Sequence, residues 1–308
     1  MSNYKRIFTE DLEGNIEYAG VMKESEDIKI VKKTSDEQKN AIKRKDELGE
    51  YTNELGGFIH VMMYINNELL FSNVGLDRAN ISRLIYLATY IDYNDREENV
   101  LVKHGKNNKI EYLNKDDIKE IMNLSNATLS RFLKDLKDNE LLFEANDKFY
   151  ISTKYFSKGK SNFDKKKYTR VFIKTTRELY KGCSTRQHMK LSYVFCLIPF
   201  LNYETNILCS NPTEINKDKL NRLGLSDICE LLGLSTDKKS MHKFENDLYK
   251  ISINIDGNDY YMFTRVITKG EYHNNYFIIN PSIIWNGNTV DNAKETIKWL
   301  YFTKKKSK

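Results

Sequence analysis

The stretch MNLSNATLSRFLKDL, residues 122–136, decides how the rest of the chain is read. Its first residues close one apolar-periodic segment, and Ser125 then stands where a side-chain oxygen can cap the open amides of a new helix. Leu129, Phe132, Leu133 and Leu136 follow at i, i+3, i+4 and i+7, a stripe that predicts one buried helix face. The opposite face carries Asn126, Thr128, Ser130, Arg131 and Lys134, and no acid occurs from Ser125 through Lys134. Downstream, ELLFEA and KFYIST flank Asn146-Asp147, a hairpin signal.

The chain contains a second version of this pattern. ISRLIYLATYIDYN from Ile81 aligns with LSYVFCLIPFLNYE from Leu191, and each is followed by a short β-like run, NVLVKH from Asn99 and NILCSN from Asn206. Asp117-Ile118 and Leu124-Ser125 recur 110 residues on as Asp227-Ile228 and Leu234-Ser235, and Asp135-Leu136 recurs as Asp247-Leu248. Several matches in one order indicate an internal repeat. In the second copy Ser235 is the expected helix cap and Met241, Phe244 and Leu248 the buried stripe. Asp256-Gly257, between ISINI and YYMFTRV, is the expected hairpin turn. The copies end alike, in FYISTKYFSKG and YFIINPSIIWNG.

Helix, strand, helix, turn, helix and hairpin is the order of a winged helix-turn-helix. There the third helix enters the major groove and the hairpin touches the flanking backbone. The expected fold class is therefore mainly α with small β hairpins (α+β): tandem winged helix-turn-helix domains with an N-terminal extension. The expected boundaries are 1–55 for a charged extension, 56–160 for the first domain and 161–183 for a basic linker. The second domain is expected over 184–290, and a helical basic C-terminal tail over 291–308. Within the extension IEYAGVM and IKIVKK read as short strands, and a polar helix begins at Ser35. Gly56-Gly57 reads as a tight turn rather than a phosphate cradle, and no G-x-x-x-x-G-K-[ST] pattern occurs.

The location of charge sharpens the functional expectation. The 308 residues carry a formal charge of +6, and residues 154–170, KYFSKGKSNFDKKKYTR, hold seven basic residues and one acid, so the remainder sums to zero. Tyr155, Phe156, Phe163 and Tyr168 interleave this run, a composition suited to a phosphate backbone with room for stacking, or to a solvated linker. The expected contacts with double-stranded DNA on the first reading helix are Ser125, Asn126, Thr128, Ser130, Arg131 and Lys134, with Lys148 on its wing. In the basic run they are Lys158, Lys160, Lys165, Lys166, Lys167 and Arg170. On the second helix they are Thr236, Lys238, Lys239, Ser240 and Lys243. His242 lies beside them, but so do Asp237, Glu245 and Asp247, which makes the second helix the weaker reader.

Other classes lack support. His60, His104, His188, His242 and His273 form no H-x-H or H-E-x-x-H pattern, and Cys183, Cys196, Cys209 and Cys229 form no C-x-x-C pair. No metal, cofactor or catalytic residue is expected, and the cysteines read as small buried hydrophobes of a reducing compartment. Neither a bilayer-spanning apolar run nor a signal-peptide core is present, so the expectation is a cytoplasmic protein with no membrane partner.

The run from GGFIHV through YLNKDDIKEIMNLSNATLSRFLKDLKDNELLF to YISTKYFSKG, about residues 50–160, resembles the RepL-like replication proteins of Firmicute plasmids and phages. The resemblance rests on Gly56-Gly57-Phe58, Asp117-Ile118, Leu124-Ser125 and Lys158-Gly159. The tandem arrangement is similar to plasmid initiators with two winged helices. What this resemblance implies is recognition of a replication origin and recruitment of host replication proteins. Apart from the resemblance, a homodimer is a further candidate assembly, with the second copy or the N-terminal extension as its dimerisation element. A transcriptional regulator and a protein-interaction scaffold are the alternatives on the same framework.

Overall fold

The computed structural model describes residues 4–10, 16–23, 36–62, 64–65, 68–69, 75–93, 98–105, 107, 109–159, 168–255, 257–266 and 275–300. The chain forms two compact units, residues 1–43 and 44–308. In the first, β1 (Tyr4–Glu10) and β2 (Ile16–Lys23) make an antiparallel hairpin with a register shift between Ile7 and Phe8. The strand expected at IKIVKK lies outside the described residues. Helix α1 (Asp36–Glu54) starts one residue after Ser35 and runs on into the second unit.

The second unit opens with β3 (Phe58–Met62), the small hairpin β4 (Tyr64–Ile65) and β5 (Glu68–Leu69), and α2 (Arg78–Ala88). Next come β6 (Val102–His104), β7 (Ile110–Tyr112), α3 (Lys115–Met122) and α4 (Asn126–Asp138). Strands β8 (Leu142–Ala145), β9 (Lys148–Ile151) and β10 (Phe156–Ser157) complete the first half. The second half runs through β11 (Tyr168–Phe172), α5 (Ile173–Gly182), α6 (Thr185–Cys196), α7 (Leu225–Leu231) and α8 (Lys238–Tyr249). It closes with β12 (Ser252–Ile255), β13 (Asn258–Tyr261), β14 (Phe263–Val266), β15 (Tyr276–Ile279), β16 (Ile284–Trp285) and α9 (Val290–Leu300). Helices with small antiparallel sheets make this an α+β protein.

Local chemistry explains the helix pair first. Asn114 accepts from the Asp117 amide while the Asp117 carboxylate accepts from the Asn114 amide, a reciprocal cap that starts α3. Asn123 ends it in the left-handed region at φ 50, and Ser125 caps α4 through the Thr128 amide. Leu129, Phe132, Leu133 and Leu136 are all buried, each stabilising the fold by about 1.5–3 kcal/mol. Asn146 and Asp147, both with positive φ, turn β8 into β9, whose mirror-image turn matches the strand twist. In the second half Gly233, φ 60, takes the place of Asn123. The cap differs from the expected Ser235: Asp237 accepts from the Lys239 and Ser240 amides, and the Ser235 hydroxyl supports it by donating to the carboxylate at 2.7 Å. The carboxylate wins because its charge-assisted bonds are stronger than those of a hydroxyl.

The repeat extends to individual hydrogen bonds. Asn99 and Asn206 both adopt left-handed backbone, φ 57 and 55, and donate side-chain amides to the carbonyls of Phe156 and Ile284 respectively. The Leu101 amide donates to the Phe149 carbonyl as the Leu208 amide does to that of Phe277. Asn80 on α2 reaches Asp135 on α4 at 2.7 Å, and the equivalent pair, Lys190 on α6 and Asp247 on α8, meets at 2.8 Å. The halves diverge in several places, among them α5, which stands where the first half has the β4–β5 hairpin, and the strands that follow α8. Strands β12 and β13 pair as the expected hairpin, Asp256 of its turn lying outside the described residues. Among the described residues they pair only with each other, and the counterpart of β8–β9 is the next antiparallel pair, β14–β15. YYMFTRV is split because Met262 is fully buried between β13 and β14 and ends the first pairing.

The halves join through a four-stranded sheet in the order β10-β3-β11-β16 and through α2 packed along α6. Ile59, Val61, Phe156, Val171 and Ile284 point into the main core. Strand alternation sends Phe58 and Phe172 to the other face, where Tyr51, Leu55, Trp285, Val290 and Ala293 cover them. Two expected boundaries change as a result. Residues 168–182, placed in a basic linker, are a strand and a helix, because Tyr168–Phe172 pairs residue for residue with β3. Residues 48–55, placed in the extension, belong to this second core, as does α9 from the expected tail; residues 301–308 lie outside the described residues.

Candidate nucleic-acid interface

Because the α4 stripe is buried, geometry alone turns Asn126, Ser130, Arg131 and Lys134 to solvent, and all four are exposed. Ser125 is exposed but spends its hydroxyl on the cap, 2.9 Å from the half-buried Thr128 hydroxyl. Arg131 directs only Nε back to the Ala127 carbonyl, at 3.3 Å, leaving its terminal amino groups for an outside acceptor. Between α4 and the β8–β9 hairpin a depression of about 360 Å³ is lined by Lys115, Ser130, Lys134, Lys137 and Glu144 among others. Lys137 is ion-paired to Glu144 within it, which leaves Lys115 and Lys134 as its outward cations beside the exposed carboxylate of Asp138. Lys115, the first residue of α3, was not singled out in the sequence; its place after the Asn114 cap is the only signal for it. Lys148 is half-buried on the hairpin, its ammonium 3.8 Å from the centre of the Tyr112 ring.

On α8 the exposed residues are Lys238, Lys239, His242, Lys243 and Asn246, preceded by exposed Thr236. Ser240 is half-buried, its amide held by Asp237. The acids expected to weaken this face are accounted for. Glu245 is buried at 4% exposure, paired with Arg265 and accepting from the Tyr249 hydroxyl at 2.9 Å. Asp247 faces Lys190 and Lys250. Asp237 is the cap, and hydrogen bonds from the side chains of Ser240 and Ser235 hold its carboxyl down at about 2. A groove of about 530 Å³ lined by Lys238, Lys239, His242, Glu245 and Arg265, with Leu225 and Met241, follows the helix. The second helix is thus as cationic outwardly as the first.

The basic run behaves differently from expectation. Lys158 is half-buried and donates to the Ile91 carbonyl at 2.8 Å, and burial followed by the nearby Arg177 charge lowers its pKa. Arg170 is 8% exposed, donates to the Gly287 carbonyl and lies between the rings of Phe58 and Trp285, 5.9 and 5.6 Å from their centres. Neither faces outward, so both drop out of the expected DNA contacts. Tyr155 and Phe156 are core residues, not stacking platforms. Lys160, Phe163, Lys165, Lys166 and Lys167 lie outside the described residues.

Beside Arg170, His60 is 6% exposed, and burial followed by the Arg170 charge holds its pKa at about 4. Both residues line a cavity of about 460 Å³ with Phe58, Tyr168, Tyr203 and Glu204. His60 Nδ1 and Glu204 Oε2 are buried there with no hydrogen-bond partner among the described residues. Burial pushes the thiols of Cys183, Cys196 and Cys209 up to about 11, which makes them unreactive near neutrality. Among the described residues no three His, Cys, Asp or Glu side chains group as metal ligands, and no helix is long and apolar enough to cross a membrane. Comparison of the chain with protein-family models, curated proteins and solved structures found no match.

Proposed function

We propose that the chain is a non-catalytic, sequence-specific double-stranded DNA-binding protein whose two halves are winged helices. The observation that carries this reading is the pair of equivalent helices, α4 and α8, which expose Arg131 with Lys134 and Lys238, Lys239 with Lys243, while Asp135, Asp237, Glu245 and Asp247 are hydrogen-bonded, capped or ion-paired and Asp138 stays exposed at the end of α4. Asn126 and Arg131 have the chemistry to read adenine and guanine edges in the major groove, and the lysines suit phosphates. The resemblance of residues 50–160 to RepL-like proteins supports a plasmid or phage replication initiator acting in the cytoplasm on origin DNA with host replication proteins. Electrophoretic shift of origin-containing against scrambled duplex tests this; equal weak binding to both would refute sequence recognition.

A second reading is favoured by one observation, the 460 Å³ cavity with its two unpartnered polar atoms. A small polar ligand bound there makes the same scaffold a ligand-gated transcriptional regulator. A thermal-shift screen of polar metabolites, followed by repetition of the electrophoretic shift with any stabilising compound, separates the two.

A further inference from the structure

The register of the central sheet fixes how the two halves are related. Strands β3 and β11 are antiparallel, with Met62 opposite Tyr168, His60 opposite Arg170 and Phe58 opposite Phe172. The repeat makes Met62 and Phe172 equivalent, since their amides donate to the equivalent carbonyls of Tyr155 and Ile283. By the same offset His60 is equivalent to Arg170, so each of these two residues faces its own counterpart. The outer strands agree: β10 places Ser157 opposite His60, and β16 places Trp285 opposite Arg170. A sheet with that pairing has a local two-fold axis between His60 and Arg170, as at an isologous interface between two subunits. Helices α2 and α6, equivalent in the repeat, pack along each other and add a second contact of the same kind.

We infer that the DNA site of one chain is a pair of half-sites in opposite orientation, read by α4 and α8 as a two-fold symmetric dimer would read them. This rests on the DNA-binding reading above. Two equivalent heads related by a two-fold axis can engage one continuous duplex in the same manner only if that axis maps the duplex onto itself, which reverses the second half-site. The half-sites are inverted in direction but different in sequence. One head offers Asn126, Ser130 and Arg131, and the other Lys239, His242 and Lys243. Symmetric dimers of helix-turn-helix proteins place half-site centres about one helical turn, ~34 Å, apart, and one chain of this protein supplies both heads without a partner.

The test uses the full chain and the duplex enriched by it from a randomised pool. Glu120 and Glu230 are exposed and equivalent, their carbonyls accepting from the amides of Asn123 and Gly233. A DNA-cleaving iron chelate is attached through Glu120→Cys in one protein and Glu230→Cys in another, with the parent protein as the control for the native cysteines. Asp116→Cys and Ser226→Cys, also exposed and equivalent, give an independent pair. The expected result is cleavage shifted from its own half-site centre in opposite directions for the two members of each pair. Shifts in the same direction, as in a direct repeat, would overturn the inverted arrangement while leaving DNA binding intact. Failure to enrich any sequence would overturn the DNA-binding reading itself, and the inference with it.

Discussion

Arg265 Nε lies 3.0 Å from Glu245 Oε1, and this ion pair joins β14 to α8 beneath the second cationic face. The acid is at 5% side-chain exposure and the arginine side chain at 35%, so the pair is sealed on the acid's side and partly open on the other. Removing Arg265 strands a buried carboxylate. Loss of one partner of a fully buried pair costs ~3–5 kcal/mol, and the open side brings the expected cost of Arg265→Ala to about 2–3 kcal/mol. Urea denaturation measures it. The double variant Arg265→Met with Glu245→Leu should recover most of the loss, and a double variant no better than the single one refutes the account.

Charge reversal separates the reading faces from the scaffold. Arg131→Glu with Lys134→Glu is expected to weaken binding to the preferred duplex by about 100-fold, since one bidentate base contact alone is worth ~1–3 kcal/mol. Lys239→Glu with Lys243→Glu should weaken it comparably. Both residue pairs are solvent-exposed, so melting temperatures should stay within a few degrees of the parent. Unchanged affinity in the first variant excludes α4 as a reader.

Salt dependence distinguishes outward from inward lysines. Each lysine on a phosphate adds about 0.9 to the slope of log affinity against log salt. Lys134→Ala should reduce the slope by that amount. Lys158→Ala should leave it unchanged, because that ammonium is bound to the Ile91 carbonyl. Arg170→Ala, likewise, should destabilise the fold by about 2–3 kcal/mol through an unpaired Gly287 carbonyl and lost ring packing, with no change of slope.

His60 makes stability depend on pH in a defined window. Its pKa is 6.5 unfolded and about 4 folded, so the unfolded chain binds the extra proton first as pH falls. The stability present above pH 6.5 is therefore lost between 6.5 and 4, by on the order of 3 kcal/mol. His188, lowered by burial, acts in the same direction. His60→Phe should flatten the His60 share of the profile in urea midpoints taken across that range; an unaltered profile excludes His60 as the source.

Where a feature depends on neighbours in sequence, it was legible there. The Leu129–Leu136 stripe, the Ser125 cap and the Asn146-Asp147 turn are set by residues within one or two turns of each other. The exposed reading residues on α4 follow automatically from that stripe. Arg170 and Lys158 were not legible, because a long cationic side chain reads as solvated until a distant carbonyl and aromatic faces are placed around it. Pairing of β11 with β3 across 110 residues leaves no local trace, so a strand and helix looked like a linker. The neutralisation of Glu245 was hidden for the same reason, its partner lying on a strand 20 residues away.

Strand β3 acquires its neighbours on either side at very different moments. Residues 156–157 cover one edge, and residues 168–172 cover the other. While the chain is being synthesised, the first half can complete its own helices and hairpin with β3 still bare along the β11 side. An uncovered edge is a template for any matching strand, including the same strand of a neighbouring nascent chain on one message. Slow translation just beyond residue 160 is thus expected to favour exchanged, intertwined chains, and rapid delivery of β11 to favour the native one.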